Sequence, residues 1–255
     1  MGAPTVTEVA KGVHFVEGDA VNWVVLADGD AVTLIDAGYP GDVDAVRQSL
    51  DLIGYRPDQI AAVLITHGHI DHIGSLPALL GGVPNHIPVY LSSTEVRHVH
   101  GEYREQATPL DVVRNVHRHG FFGWSMHVVR AGGTKHVTLP DAMPFPSGGL
   151  LGLPGRPVPV PTPGHTSGHT CYLVPDVGVI VTGDTLVTGH PTSRLEGPQL
   201  LLPLFHHDQQ QTLEALDTLE ALDAEILLPG HGPMYRGSLR DAAARAREQG
   251  FAGSH

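Results

Sequence analysis

The segment Thr66-His67-Gly68-His69-Ile70-Asp71-His72-Ile73-Gly74 packs four potential metal ligands into six consecutive positions. Neutral imidazole and carboxylate are the donors that a borderline cation such as zinc accepts. The cluster follows directly on the β-rich run Ile60 to Thr66, and a strand end gives ligands rigid support. Gly68 and Gly74 permit tight backbone geometry around it. A histidine-rich surface loop would explain a bare His-x-His, but it is a poor account of His-x-His-x-Asp-His at a strand end. Three later segments repeat the theme: Pro163-Gly164-His165-Thr166, Thr182-Gly183-Asp184-Thr185 and Leu228-Pro229-Gly230-His231-Gly232. Each sets one ligand-type residue after a glycine at a strand end. Alone, each is uninformative. Together with the first cluster they can converge at one sheet edge.

The elements that would carry these residues follow from pattern. Val21 to Leu26 and Ala31 to Ile35 are apolar runs joined by Ala27-Asp28-Gly29-Asp30, which reads as a hairpin. Asp42 to Ile53 has helical spacing, with Val43, Val46, Leu50 and Ile53 on one stripe and Gly54 as C-cap. After the ligand cluster, Ser75 to Leu80 reads as a short helix and Ile87 to Leu91 as a strand. Residues 93–130 are polar and histidine-rich, with an aromatic group at Phe121, Phe122 and Trp124. The pattern predicts helices there, in an insertion over the sheet edge. The Pro- and Gly-rich stretch 140–164 could be an interdomain linker, but ligand-type residues continue on both sides, so loops and short strands within one domain fit better. Strands resume at Thr170 to Val174 and Gly178 to Thr182. Asp208 can cap a helix over Gln209 to Leu222, Ile226 to Leu228 is a last strand, and Ser238 to Gln249 a terminal helix. The sum is a mixed sheet pair with outer helices, in a single domain over 1–255.

Composition narrows the function classes. The chain has 255 residues, 41% apolar, with a formal net charge of −12. That charge argues against nucleic acid and acidic membranes as partners. No run of ~18 apolar residues is present to span a bilayer, and the N-terminal MGAPTVTEVAKGVHFVEG does not read as a signal peptide. Cys171 is the single cysteine, so no intrachain disulfide forms, which suits a cytoplasmic location. The partners expected are a small-molecule substrate and, for assembly, a homodimer.

On its four ligand segments the chain resembles the metallo-β-lactamase superfamily, from about Trp23 to Gly232. The resemblance implies an α/β fold, an αββα sandwich of two mixed sheets flanked by helices, with the site at one sheet edge. It implies a first metal held by His67, His69 and His165, a second by Asp71, His72 and His231, and Asp184 bridging both. The cations would be two zinc ions, with iron or manganese as substitutes. Asp184 stands where the main group of zinc β-lactamases has cysteine. Asp36, in Leu34-Ile35-Asp36-Ala37-Gly38, matches the family's early Asp-x-Gly element, either supporting a ligand histidine or simply shaping a turn.

Two such cations ~3.5–4 Å apart would supply hydroxide at neutral pH and polarise a carbonyl. Asp71 and Asp184 would be the catalytic carboxylates, and no serine or cysteine nucleophile is needed; Cys171 reads as core. His169 reads as support or packing. His190, His207 (or its neighbour His206), Phe122, Trp124 and Tyr235 are the candidates to face substrate.

The ligand set resembles glyoxalase II and acyl-homoserine lactonases. The short stretch after His231 leaves little room for the helical region with which glyoxalase II holds glutathione. The long stretch between His72 and His165 is expected to form an acyl or aromatic pocket. A metal-dependent hydrolase of a small ester, thioester or lactone is the leading expectation. Two alternatives stand beside it: a persulfide dioxygenase, with one iron on His67, His165 and Asp184, and a non-catalytic metal-binding protein.

Overall fold

In the computed structural model, which describes residues 2–146 and 149–251, two sheets stack face to face between two helical layers. Residues 1, 147–148 and 252–255 of the expected 1–255 domain lie outside the described residues. The first sheet takes its seven strands in chain order: β1 (Thr5–Ala10), β2 (Val13–Glu17), β3 (Asn22–Asp28), β4 (Ala31–Ile35), β5 (Ile60–Leu64), β6 (Val89–Leu91) and β7 (Met143–Pro144). Its first half is an antiparallel meander, and from β4 to β7 the neighbours are parallel. The second sheet has the order β12-β11-β10-β9-β8, built from β8 (Val158–Pro161), β9 (Thr170–Val174), β10 (Val179–Gly183), β11 (Ile226–Pro229) and β12 (Tyr235–Arg236). Only β10 and β11 run parallel in it.

The helices connect these strands. α1 (Val43–Leu52) joins β4 to β5, and the four-residue α2 (Ile70–Ile73) and α3 (Leu76–Leu80) join β5 to β6. α4 (Ser93–Val99), α5 (Pro109–Asn115) and α6 (Phe121–Arg130) follow β6, α7 (Gln209–Glu220) precedes β11, and α8 (Leu239–Gln249) follows β12.

Layering follows from three apolar surfaces. Val46 and Leu50 of α1, Leu76 and Leu79 of α3, and Val96 and Val99 of α4 pack on one face of the first sheet, against Val25, Leu34 and Val63. Between the sheets, Phe15, Val24, Ile35 and Leu64 meet Tyr172, Val179, Val181 and Leu228. Beyond the second sheet, Cys171, Ile180 and Leu227 pack under Leu216 and Leu219 of α7 and Ala242, Ala243 and Ala246 of α8. Each central strand is buried on both faces, which is why β3, β5 and β10 read as near-continuous apolar runs rather than alternations. This is the αββα sandwich of the expectation.

The β3–β4 hairpin turns at Gly29, whose φ is +59°, and α1 stops where Gly54 takes φ +85°. Asp208 caps α7 by accepting from the Gln211 N–H at 3.0 Å, and Ser238 caps α8 through the Asp241 N–H at 3.1 Å. The expected insertion divides in two. α4 belongs to the helical layer, since its Val96 and Val99 are core; α5 and α6 stand over the ends of the strands and wall a cavity there. The stretch 140–164 carries β7 and β8 between loops. Helix α2, which the sequence pattern does not announce, is a single turn inside the ligand cluster itself.

The sheets are tied at the edge where β5, β10 and β11 end. Thr170 N–H donates to the Thr66 carbonyl at 3.0 Å and Asn22 N–H to that of Gly230 at 2.8 Å, while within the second sheet Gly230 N–H donates to Gly183 at 2.9 Å. The Asn22 side-chain amide donates to the Pro229 and Gly232 carbonyls at 3.0 and 2.8 Å. No helix among the described residues is long and apolar enough to cross a membrane.

Leu64 is fully buried between the sheets, on the strand that leads into the ligand cluster. Leu64→Ala is expected to destabilise the fold by about 3 kcal/mol, the usual scale for a buried Leu→Ala cavity. Denaturant unfolding of the metal-free protein checks it through a shifted midpoint at unchanged slope.

Candidate metal centre

All seven side chains of the expected ligand set meet at this sheet edge. His67 and His69 lie on the loop after β5, Asp71 and His72 on α2, and His165 between β8 and β9. Asp184 directly follows β10, and His231 follows β11 after one intervening residue, Gly230. Ligand atoms of His67, His69 and His165 lie within 4.8 Å of one another, as do those of His67, His72 and Asp184, and those of Asp71, His72 and His231. Asp184 sits between the groups: its Oδ2 is 3.5 Å from His165 Nε2 and 3.3 Å from His231 Nε2, and its Oδ1 is 3.5 Å from His72 Nε2. Asp71 Oδ2 is 3.4 Å from His231 Nε2.

The chemistry of these atoms fits cations. His67 Nε2, His72 Nε2 and Asp184 Oδ1 are buried without a hydrogen-bond partner, an arrangement that costs stability unless something satisfies it. The opposite ring nitrogens are held. His72 Nδ1 donates to Asp36 Oδ2 at 2.8 Å, and His231 Nδ1 to the Ala20 carbonyl at 2.7 Å. His69 Nε2 donates to the Glu105 carbonyl, and His67 Nδ1 lies 3.1 Å from Thr66 Oγ1. A hydrogen bond of this kind fixes the tautomer and turns the free nitrogen toward the metal.

Electrostatics divides the set. Burial, with the neighbouring His72, His69 and His165, holds His67 well below the usual imidazole range. His165 is likewise held low, by burial that outweighs Asp184. Both are neutral donors. Burial also opposes charge on His72, but Asp36, Asp184 and Asp71 outweigh it and raise the ring to about 9. His231 is raised in the same way by Asp184 and Asp71. In return, Asp71 falls to about 2 and Asp184 well below the carboxylate range, as the histidines outweigh burial. Without metal, two imidazolium–carboxylate pairs therefore occupy the second group.

A family model described as the metallo-beta-lactamase superfamily matches residues 16–231, a span containing every one of these residues. The chain belongs to the metallo-beta-lactamase superfamily. It is 28% identical over 260 residues to a probable metallo-hydrolase of Bacillus subtilis (strain 168), YflN, covering 93% of this chain and 92% of that one. It is 26% identical over 212 residues to an atrochrysone carboxyl ACP thioesterase of Aspergillus fumigatus, covering 83% of this chain and 50% of that one. In shape it is similar to a metallo-beta-lactamase of Cronobacter sakazakii with a HARLDQ motif, with a TM-score of 0.67 at 18% identity over 96% and 93% of the two chains.

One support of this superfamily site is not evident in the sequence pattern. Glu95, fully buried on α4, accepts from Gly68 N–H at 2.7 Å and Gly168 N–H at 3.1 Å, and also from Thr166 and His98. It clamps the His67–His69 loop to the His165 loop. Burial works against its charge, but the hydrogen bonds from His98 and Thr166 win and hold its carboxyl low. Asp36 does both things expected of it. It takes φ +60° in a turn, and it accepts from Thr66 N–H at 2.9 Å as well as from His72. His169 Nε2 accepts the Asp184 N–H at 3.1 Å, which places the Asp184 backbone. Cys171 is buried core, its thiol pushed up to about 12 by desolvation.

A cavity of about 480 Å³ opens beside the ligands. Trp124, Val128 and Val129 of α6, Val112 of α5, Leu201 and Phe205 form its apolar wall, and His190 and Tyr39 reach it near Asp71 and Asp184. Of the residues expected to face substrate, Trp124 and His190 line this space. Phe122 does not; it is 67% exposed on α6, because helical geometry turns it away from its near neighbour Trp124. His207 is also outside the lining and lies 3.6 Å from Glu105 Oε1, while its neighbour His206 is buried against Leu201 and Thr212. Tyr235 belongs to the edge strand β12 and packs against the third apolar cluster, beside Arg245.

Two predictions follow from this geometry. Because His72 and His231 carry protons that a cation must displace, metal affinity is expected to rise with pH through the titration of His72 at about 9, with the raised His231 adding to the dependence and protons released on binding. Titration calorimetry in buffers of different ionisation enthalpy measures both. Second, Gly230 is not at positive φ, but a Cβ there would lie 2.3 Å from Asp184 Oδ1 and 2.9 Å from His72 Cε1. Gly230→Ala should lower metal affinity by roughly tenfold or more while the far-ultraviolet circular dichroism stays native.

Proposed function

We propose that this protein is a metal-dependent hydrolase of small esters, thioesters or lactones, working with two zinc ions. The observation that carries the reading is the convergence of all seven donors beside a largely apolar cavity large enough for an acyl or aryl group. When bound, the metal pair would supply hydroxide at neutral pH and draw charge from the substrate carbonyl. The chain's own residues hold and orient. His67, His69 and His165 would take one cation, Asp71, His72 and His231 the other, and Asp184 both. Asp71 and Asp184, ionised throughout the neutral range, would accept hydrogen bonds from an attacking water and align it. Trp124, Val128 and Phe205 would seat the apolar part of the substrate and exclude bulk water from it.

The similarity to a named ACP thioesterase supports an activated acyl substrate. The close approach of Asp71, His72 and His231 supports two metals over the single iron of a dioxygenase, which needs only His67, His165 and Asp184. A pocket with a largely apolar wall against the donors supports catalysis over simple metal storage.

Metal-replete protein is expected to hydrolyse a panel of short acyl thioesters, aryl esters and lactones, at a rate abolished by His69→Ala, with about two zinc ions per chain by elemental analysis. Absence of turnover across the panel, or one iron per chain with oxygen uptake, would reject the reading.

A further inference from the structure

Of the histidines that line the cavity, His69, His165 and His231 belong to the metal set and His136 is exposed at the rim. His190 is left over, and its environment defines its chemistry. Its Nδ1 faces two donors, the Thr192 N–H at 3.2 Å and Thr192 Oγ1 at 2.7 Å. A backbone amide can only donate. Nδ1 therefore presents its lone pair, and the single proton of the neutral ring sits on Nε2. Nε2 has no partner among the described residues and is not closed off from the cavity.

The ring is held on several sides. Trp124 of α6 lies at 5.8 Å between centroids, Phe205 at 5.5 Å and His231 at 5.0 Å. The loop beneath it is gripped as well: Gly120, at φ +70°, fits so closely against Pro191 that a Cβ there would lie 1.8 Å from the Pro191 carbonyl oxygen. Ser193 N–H closes the turn on the His190 carbonyl at 2.9 Å. The result is one N–H donor, fixed in place, on the wall of a cavity shared with Asp71 and Asp184.

We infer that His190 is a catalytic hydrogen-bond donor, its Nε2–H binding the substrate carbonyl oxygen as that oxygen gains charge. The inference rests on the hydrolase reading above. In the step, hydroxide oxygen forms a bond to the carbonyl carbon, and the C=O π pair moves onto oxygen, which accepts the Nε2–H bond. The pair then returns, the bond from carbon to the alkoxy or thiol group breaks with its electrons on the leaving atom, and that atom takes a proton from water. The proton on Nε2 stays where it is throughout, because giving it up would leave an imidazolate. His190 thus acts as an electrophile of the neutral-imidazole kind and not as a general acid.

Three measurements on the metal-replete enzyme test this. Imidazole nitrogen NMR should show His190 with a protonated Nε2 and an unprotonated Nδ1; the reverse pattern overturns the inference. His190→Phe, which keeps the ring contacts and loses the donor, should lower kcat by about 10²-fold. KM and metal content should change little, and affinity for an alkylphosphonate, a stable mimic of the tetrahedral oxyanion, should weaken in parallel. His190→Gln, whose amide N–H can reach toward the same space, should recover part of both. The loss should be similar for thiol, phenol and alkanol leaving groups. A Phe variant that keeps kcat within about threefold at native metal content rules the role out, and so does a loss that grows with leaving-group basicity, the mark of a proton donor. If wild type hydrolyses nothing on the panel, the hydrolase reading itself has failed and this inference falls with it.

Discussion

The structure is organised around a cluster of polar groups that satisfy one another only in part. Five imidazoles and two carboxylates are gathered at one sheet edge, with buried nitrogens and an oxygen left without hydrogen-bond partners. Desolvation alone would disfavour this strongly. Part of the cost is offset in the metal-free chain by proton sharing, which makes His72 and His231 cationic beside Asp71 and Asp184. On the other side, His165 Nε2 and His69 Nδ1 share a hydrogen bond at 3.0 Å, but His67 Nε2 and His165 Nδ1 stay buried without a partner among the described residues. A site built this way stores affinity for cations, and the surrounding architecture serves to keep it from collapsing or dispersing.

That service is spread over unconnected parts of the chain. Asp36 fixes the turn after β4 and orients His72. Glu95 from α4 joins the His67–His69 loop to the His165 loop. His169 positions the Asp184 backbone, and Asn22 spans to the carbonyls on either side of His231. Each support is buried, and each links segments that end different strands. The ligand loops thus inherit the rigidity of the sandwich rather than depending on their own short contacts. A Cβ at Gly68 would strike His98 and Glu95, one at Gly164 would strike Thr212, and one at Gly230 would strike Asp184 and His72.

The helices α5 and α6 wall the cavity beside the ligand cluster. They carry few core residues, and several apolar side chains on them, such as Val113 and Phe122, stay exposed. Their inner face supplies Trp124, Val112 and Val128 to the cavity wall. Trp124 also packs on His190, so the element that shapes the pocket also holds this ring beside the ligand cluster.

The sequence by itself determined the ligand inventory and most elements that bear it. Dense donors after apolar runs are readable because metal chemistry restricts residue type, and strand ends restrict position. The β3–β4 hairpin, α1, α7, α8 and β9–β10 are readable because periodicity and capping are local properties. Tertiary structure decided the rest. Glu95 looks like an ordinary helix-start acid until burial makes it a clamp. Phe122 and Trp124 look equivalent until helix rotation separates them. His190 and His207 look alike until a backbone N–H fixes the proton of one ring and the other falls outside the cavity. The physical reason is common to all three: a side chain's role depends on which groups desolvate and face it, and those groups come from distant parts of the chain, which only the folded packing brings together.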